Sequence, residues 1–128
     1  VESKSSRPID FASSVTVSTK TKEKTLEIEG AVFGSNNARI VRIDNFYLEA
    51  VPEGYILILH NRDVPGVVGA IGTLLGQKGI NIAGLELGRE KVGGMAISLF
   101  HVDNSIPKTT LDALRKLPNI VSAELVKL

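Results

Sequence analysis

Three polar side chains stand where a small ligand could be held: Asn61 and Asp63 just ahead of Pro65-Gly66, and Asn81 at the opening of the next apolar run. Between them, Val68, Ile71, Leu74 and Leu75 recur at helical spacing. The first N–H groups of a helix lack intrahelical partners, and the dipole there favours negative charge. Val67 and Val68 therefore offer backbone donors to a ligand carboxylate. Asp63 suits an ammonium instead, through a charge-assisted hydrogen bond. Asn61 and Asn81 each bring a donor and an acceptor. An α-amino acid carries this pair of opposite charges two bonds apart, so the set predicts an amino-acid site. Asp63 also reads as a plain turn and helix-entry residue, where Asp is common. One motif does not decide between the two.

The surrounding residues offer no covalent chemistry. No serine sits in a nucleophile elbow. GVVGAIG lies inside the helical stretch, not in the turn before it, so it does not match a dinucleotide fingerprint. His60 and His101 lie on strand-like runs with no carboxylate or cysteine at ligand spacing, and read as core or interface residues. Glu86 and Glu90, near Arg89, read as solvated. The expectation is a sensor with no catalytic residue, metal or cofactor of its own.

Composition sets the limits. With 128 residues the chain holds one domain or two small ones. Apolar content of 43% is ordinary for a globular chain. No apolar run approaches the roughly 20 residues that span a bilayer, and no signal segment opens the sequence. Absence of cysteine excludes disulfides and thiolate metal sites. A net charge of +1 gives no reason to expect a polyanionic partner. The one basic cluster, Lys20, Lys22 and Lys24, alternates with Thr and Glu and reads as a solvated hairpin tip. The expected location is cytoplasmic, with no membrane or nucleic-acid partner.

The elements that must position the site fall into two parts. Residues 1–13 are polar and patternless, and the chain reads as beginning in mid-domain. Val15 and Val17, then Leu26 to Phe33, Ile40 to Ile43 and Tyr47 to Val51 read as four short antiparallel strands, with Gly30 as a bulge. Turns are expected at Lys20–Lys24, Gly34–Asn37 and Asp44–Asn45. Pro52-Glu53-Gly54 marks the boundary between a part spanning 1–52 and a part spanning 53–128.

In the second part, Ile56 to Leu59 is apolar on both faces. Pro65 suits the first helical position and Gly79 the C-terminal stop. Gly69, Gly72 and Gly76 form one stripe, read either as close helix–sheet packing or as a face approached by a helix or ligand. Strands follow at Ile80 to Leu87 and Met95 to Val102. Pro107 starts a helix lined by Leu111, Leu114 and Leu117, and a last strand runs from Ile120. The fold class is α+β: an antiparallel β piece followed by a ferredoxin-like βαββαβ unit.

The spacing Asn-x-Asp-x-Pro-Gly, then Gly-x-Asn-Ile-Ala, resembles the ACT domain at the C-terminus of the D-3-phosphoglycerate dehydrogenase family. Upstream, AVFGSNNARIVRIDNFYLEAVPEG resembles the end of that family's intervening, or allosteric substrate-binding, domain. The resemblance implies that Asp63 and Asn81, with Asn61 at a position of varying type, bind L-serine as feedback effector. It implies a site between two ACT domains paired side by side, hence a homodimer or higher homo-oligomer. It implies an anion site at Arg39, with Arg42 beside it; read from the residues alone, both are charges on an edge strand. It further implies catalytic domains, with their NAD, outside this chain. Val64 departs from the family, where arginine is frequent, and removes a charge beside the loop. Asp44-Asn45-Phe46 departs from the usual Asn-Gly hairpin. The same segments also resemble the β subunit of iron–sulfur L-serine dehydratases. A dimerisation module with no ligand is the third reading.

Overall fold

The computed structural model describes residues 2–5, 13–20, 25–33, 37–89 and 93–128. The chain divides into two units, Val1–Pro52 and Glu53–Leu128.

Five antiparallel strands in sequence order form the sheet of the first unit: β1 (Glu2–Ser5), β2 (Ser13–Lys20), β3 (Thr25–Phe33), β4 (Asn37–Ile43) and β5 (Phe46–Ala50). Four were expected. The additional strand β1 pairs from Glu2↔Val17 to Ser5↔Ser14. Its polar sequence hid it, because a backbone ladder needs no hydrophobic pattern. Leu26, Ile28, Ile40, Ile43 and Ala50 are buried along β3 to β5. The register shifts between Glu29 and Gly30, where the glycine marks the bulge. At the β4–β5 turn Asp44 takes φ 51 while Asn45 does not take a positive φ, which excludes a type I′ turn. Asp44 is fixed from the neighbouring strand instead. Its N–H donates to Glu27 O at 2.7 Å, and its Oδ1 accepts from Glu27 N at 3.0 Å. The turns expected at 21–24 and 34–36, with Lys22 and Lys24, lie outside the described residues.

The second unit follows the order β6 (Tyr55–Arg62), α1 (Val67–Gln77), β7 (Ile82–Arg89), β8 (Met95–Val102), α2 (Lys108–Arg115) and β9 (Ile120–Lys127). The sheet order is β7-β8-β6-β9, with every pair antiparallel. This is the ferredoxin-like split arrangement. Ile56, Leu57, Ile58 and Leu59 are at most 1% exposed, so the unbroken apolar run is buried on both faces. Leu57, Leu59, Phe100, Val102 and Ala123 face Ile71 and Leu75 of α1 and Leu114 of α2 in one apolar cluster.

Pro65 does not open α1. Pro65 and Gly66 form a turn, Gly66 is the N-cap at φ 89 and ψ −13, and the helix begins at Val67. Those angles fit the third position of a type II turn, which requires φ > 0 and explains the Pro-Gly pair. At the other end, Gly79 N–H donates to Gly76 O at 3.0 Å and Ile80 N–H to Leu75 O at 2.9 Å. That is a Schellman stop, with Gly79 at φ 73. Pro107 is the N-cap of α2 and not its first helical residue.

Close packing on the sheet is not the reason for the glycine stripe. A Cβ at Gly69 or Gly76 would meet nothing within 4 Å, and at Gly72 only Ile82 Cδ1 at 3.9 Å. The stripe faces open space beside edge strand β7. The other edge strand, β9, is covered by a side chain: Arg115 donates through Nε and Nη2 to Ala123 O at 3.1 and 2.7 Å. A cation laid along an unpaired edge blunts it against further strand pairing. Among the described residues, no helix is long and apolar enough to cross a membrane.

Candidate functional site

A cavity of about 370 Å³ opens where β6 ends, α1 begins and β7 ends. The end of β6 and its loop contribute Asn61, Asp63 and Val64, and α1 contributes Val67 and Val68. The remaining wall is Leu87 to Arg89 of β7 with Ala96 and Ser98 of β8.

Asn61 lies within β6 and not in the loop, and is 3% exposed. Its Oδ1 accepts from Ser98 Oγ at 2.9 Å, and its Nδ2 donates to Arg62 O at 2.9 Å. An amide has two N–H donors and two carbonyl lone pairs. Asn61 thus keeps one of each toward the cavity floor while its orientation is fixed.

Asp63 is held by its backbone, N–H to Gly94 O at 2.8 Å. It is not a helix cap. The N-cap is Gly66, no side chain caps α1, and no acidic residue stands in the first turn. The carboxylate turns toward β7, where Oδ2 accepts from Arg89 Nε at 2.7 Å. That bond is the main reason the Arg89 guanidinium is held above its ordinary pKa, with the Asp63 charge next and slight burial opposing. Arg89 lies beyond the strand as read from the sequence, which ends at Leu87. It closes β7 paired opposite Ala96, so its side chain stands on the helix side with Leu85 and Leu87. It brings to the loop the positive charge that Val64 lacks. Nothing in the local sequence marked it, because the contact joins residues 26 positions apart. Val67 and Val68 both line the cavity, as the opening residues of a helix without a side-chain cap.

Asn81 is not brought to this cavity. It precedes β7, whose start pairs Ile82↔Val102 while its end pairs Arg89↔Ala96. At about 3.3 Å per residue the two ends lie roughly 23 Å apart. Asn81 Nδ2 donates to Asp103 Oδ2 at 2.8 Å, at the surface.

The remaining candidates sit elsewhere. Arg42 bonds through Nε to Glu29 at 2.9 Å and through Nη1 to Glu27 at 3.0 Å and to Asp44 O. Its pKa is raised, chiefly by the Glu29 bond, against some lowering by burial. Two carboxylates cancel its charge, which makes Arg42 a strand-to-strand tie and not an anion receptor. Arg39 donates Nη1 to Ala38 O at 2.8 Å and stands 3.8 Å from Glu49. His60 Nδ1 lies 3.1 Å from Ser122 Oγ. Among the described residues no three His, Cys, Asp or Glu side chains could share a metal ion.

The ACT domain family model matches residues 55–119, half of the chain. The chain belongs to the ACT domain family. Its relatives carry the likeness further upstream. It is 36% identical over 129 residues to a D-3-phosphoglycerate dehydrogenase of Archaeoglobus fulgidus, covering 99% of this chain and 24% of that one. It is 29% identical over 118 residues to the enzyme of the same name from Methanocaldococcus jannaschii, covering 92% of this chain and 22% of that one. A probable L-serine dehydratase beta chain of Bacillus subtilis is 32% identical over 97 residues, covering 75% of this chain and 44% of that one. The chain thus spans about a quarter of the length of the dehydrogenases it matches. The matched residues run from β6 through α2 and include the loop between β6 and α1.

Proposed function

We propose that this chain is the regulatory part of a D-3-phosphoglycerate dehydrogenase and binds L-serine as a feedback effector. The observation that carries the reading is Asp63, aimed into a cavity at the uncapped start of α1. An anion beside a helix N-terminus, with a fixed amide on the floor, matches ammonium, carboxylate and hydroxyl in one small molecule. Residues 1–52 are then the end of an intervening domain, and of the two arginines read as its anion site Arg39 carries the lighter carboxylate load, one Glu49 at 3.8 Å against the Glu27 and Glu29 of Arg42. On this reading the catalytic domains, with their NAD, lie outside this chain. The glycine run in the second unit is helical and gives no phosphate-binding turn, so the described residues do not fit a dinucleotide. Serine biosynthesis implies a cytoplasmic protein.

The distant Asn81 also has a place in this reading. β7 is an edge strand with Leu85 39% and Leu87 56% exposed. Two copies pairing β7 to β7 antiparallel would extend both sheets. Antiparallel pairing lays the start of one β7 against the end of the other. Asn81 of one protomer then meets the cavity of its partner, and the bare glycine stripe gives room for close approach. A ligand that bridges two protomers favours one subunit arrangement over another, which is what regulation requires.

The likeness to the dehydratase beta chain supports a second reading, a regulatory segment of an L-serine-degrading enzyme. A ligand-free dimerisation module is the third. Titration calorimetry of this chain with L-serine, D-serine, glycine and phosphate separates effector from module. Stereoselective heat with L-serine, lost in Asp63→Ala, is the expected result. No heat with any amino acid from a folded dimer overturns the effector reading.

A further inference from the structure

The cavity holds a charge that the sequence pattern never pointed to. Arg89 is 58% exposed at the side chain and Asp63 22%, and their bond uses one guanidinium nitrogen, Nε. Among the described residues, neither Nη group of Arg89 meets an acceptor. A guanidinium presents five N–H donors in a fixed planar fork, so fixing Nε sets the direction of the others. Arg89 stands on the wall opposite α1, with Gly88 and Leu87 beside it. Asp63 therefore orients Arg89 while keeping oxygen lone pairs of its own.

We propose that Arg89 is a ligand-carboxylate contact that makes this site selective for zwitterions. The ligand ammonium binds Asp63. One carboxylate oxygen takes the N–H groups that open α1, and the other takes the Arg89 Nη groups. The pair is neutral as a unit, so a lone amine meets the repulsion of Arg89 and a lone carboxylate that of Asp63. A molecule carrying both charges meets neither penalty. The assignment rests on the amino-acid reading of the cavity, and it adds which residue enforces the class of ligand.

The test is calorimetry on the whole chain with three probes: L-serine, ethanolamine (ammonium and hydroxyl without carboxylate) and glycolate (carboxylate and hydroxyl without ammonium). Each is titrated into the wild type, Arg89→Ala, Arg89→Lys and Asp63→Asn. Hydrogen bonds to charged groups set the scale, so Arg89→Ala weakens L-serine by about tenfold to a hundredfold. Arg89→Lys recovers part of the loss, because it restores charge without the fork. Ethanolamine binding does not weaken in Arg89→Ala, since the probe has no carboxylate to lose. Unfolding curves of the two Arg89 variants stay close to wild type, as expected for an exposed pair. L-serine binding to Arg89→Ala as tight as wild type, or tighter, overturns the Arg89 assignment alone. Equal weakening of L-serine and ethanolamine also overturns it, because Arg89 would then act only by placing Asp63. No binding by the wild type overturns this assignment and the effector reading together.

Discussion

Both units set an arginine against carboxylates, and only one of the two arrangements is open. In the first unit Arg42, 15% exposed, ties Glu29, 2% exposed, and Glu27 on the neighbouring strand, with Asp44 O as a third acceptor. Its charge is met by two carboxylates and a backbone carbonyl within the sheet. In the second unit Arg89 meets Asp63 through a single nitrogen at the rim of a cavity. The residue types are the same, and the family resemblance implied a place for Arg42 beside the Arg39 anion site and none for Arg89. What separates scaffold from site is how completely the charges are satisfied and whether space remains for a third partner.

That contrast can be broken by removing a carboxylate from each unit. Glu29→Ala takes the main partner from a largely buried guanidinium and leaves it Glu27 and Asp44 O. The expected cost is about 1–3 kcal/mol, read as lost hydrogen-exchange protection along β3 and β4 with L-serine affinity unchanged. A Glu29 variant that kept its protection but lost ligand binding would place the site in the wrong unit.

Asn81→Ala sharpens the contrast from the other side. It removes a polar group roughly 20 Å along β7 from the cavity of its own chain. With β7-paired protomers it weakens L-serine by up to about tenfold, the scale of one neutral hydrogen bond. Calorimetry together with sedimentation checks this. An unchanged affinity in a confirmed dimer would remove the partner residue from the site.

Gly79→Ala acts on the helix that carries the site. A Cβ at φ 73 has room around it but strains the backbone, by about 1 kcal/mol. Denaturant unfolding should show that loss with Asp63 chemistry intact.

The smallest effect is at the surface. Asp112 is held below the usual carboxylate pKa, first by the Lys108 hydrogen bond and then by Arg115. A depressed folded pKa gives stability that is present above the unfolded value and lost as pH falls through the folded one. Asp112→Asn should therefore melt slightly below wild type at neutral pH. The gap should close as pH drops beneath the ordinary Asp value of about 3.9. A gap that widened on acidification would reverse the assignment.

Much of the second unit was legible because local signals agreed. The apolar run at Ile56–Leu59, the helical spacing of Val68, Ile71 and Leu75, and the glycine stop at Gly79 each act within a few residues. Position within the turn was harder. Pro65 is equally at home in a type II turn and at a helix start, and Gly66 at positive φ decides for the turn. Strand β1 was invisible because its sequence is polar, and a backbone ladder needs no hydrophobic pattern. The glycine stripe was visible as a stripe, but its surroundings were not.

The sequence by itself determined the order of elements in the second unit, the ACT family, and the place of Asn61 and Asp63 at the first strand–helix junction. Those follow from periodicity and from short motifs whose parts interact locally. The tertiary structure alone decided that Asn61 is a fixed floor residue and that Asp63 faces Arg89 and not the helix it precedes. It also parted Asn81 from both and closed Arg42 with carboxylates. Each of those outcomes depends on strand pairing between residues distant in sequence, and register, not composition, sets which charges meet.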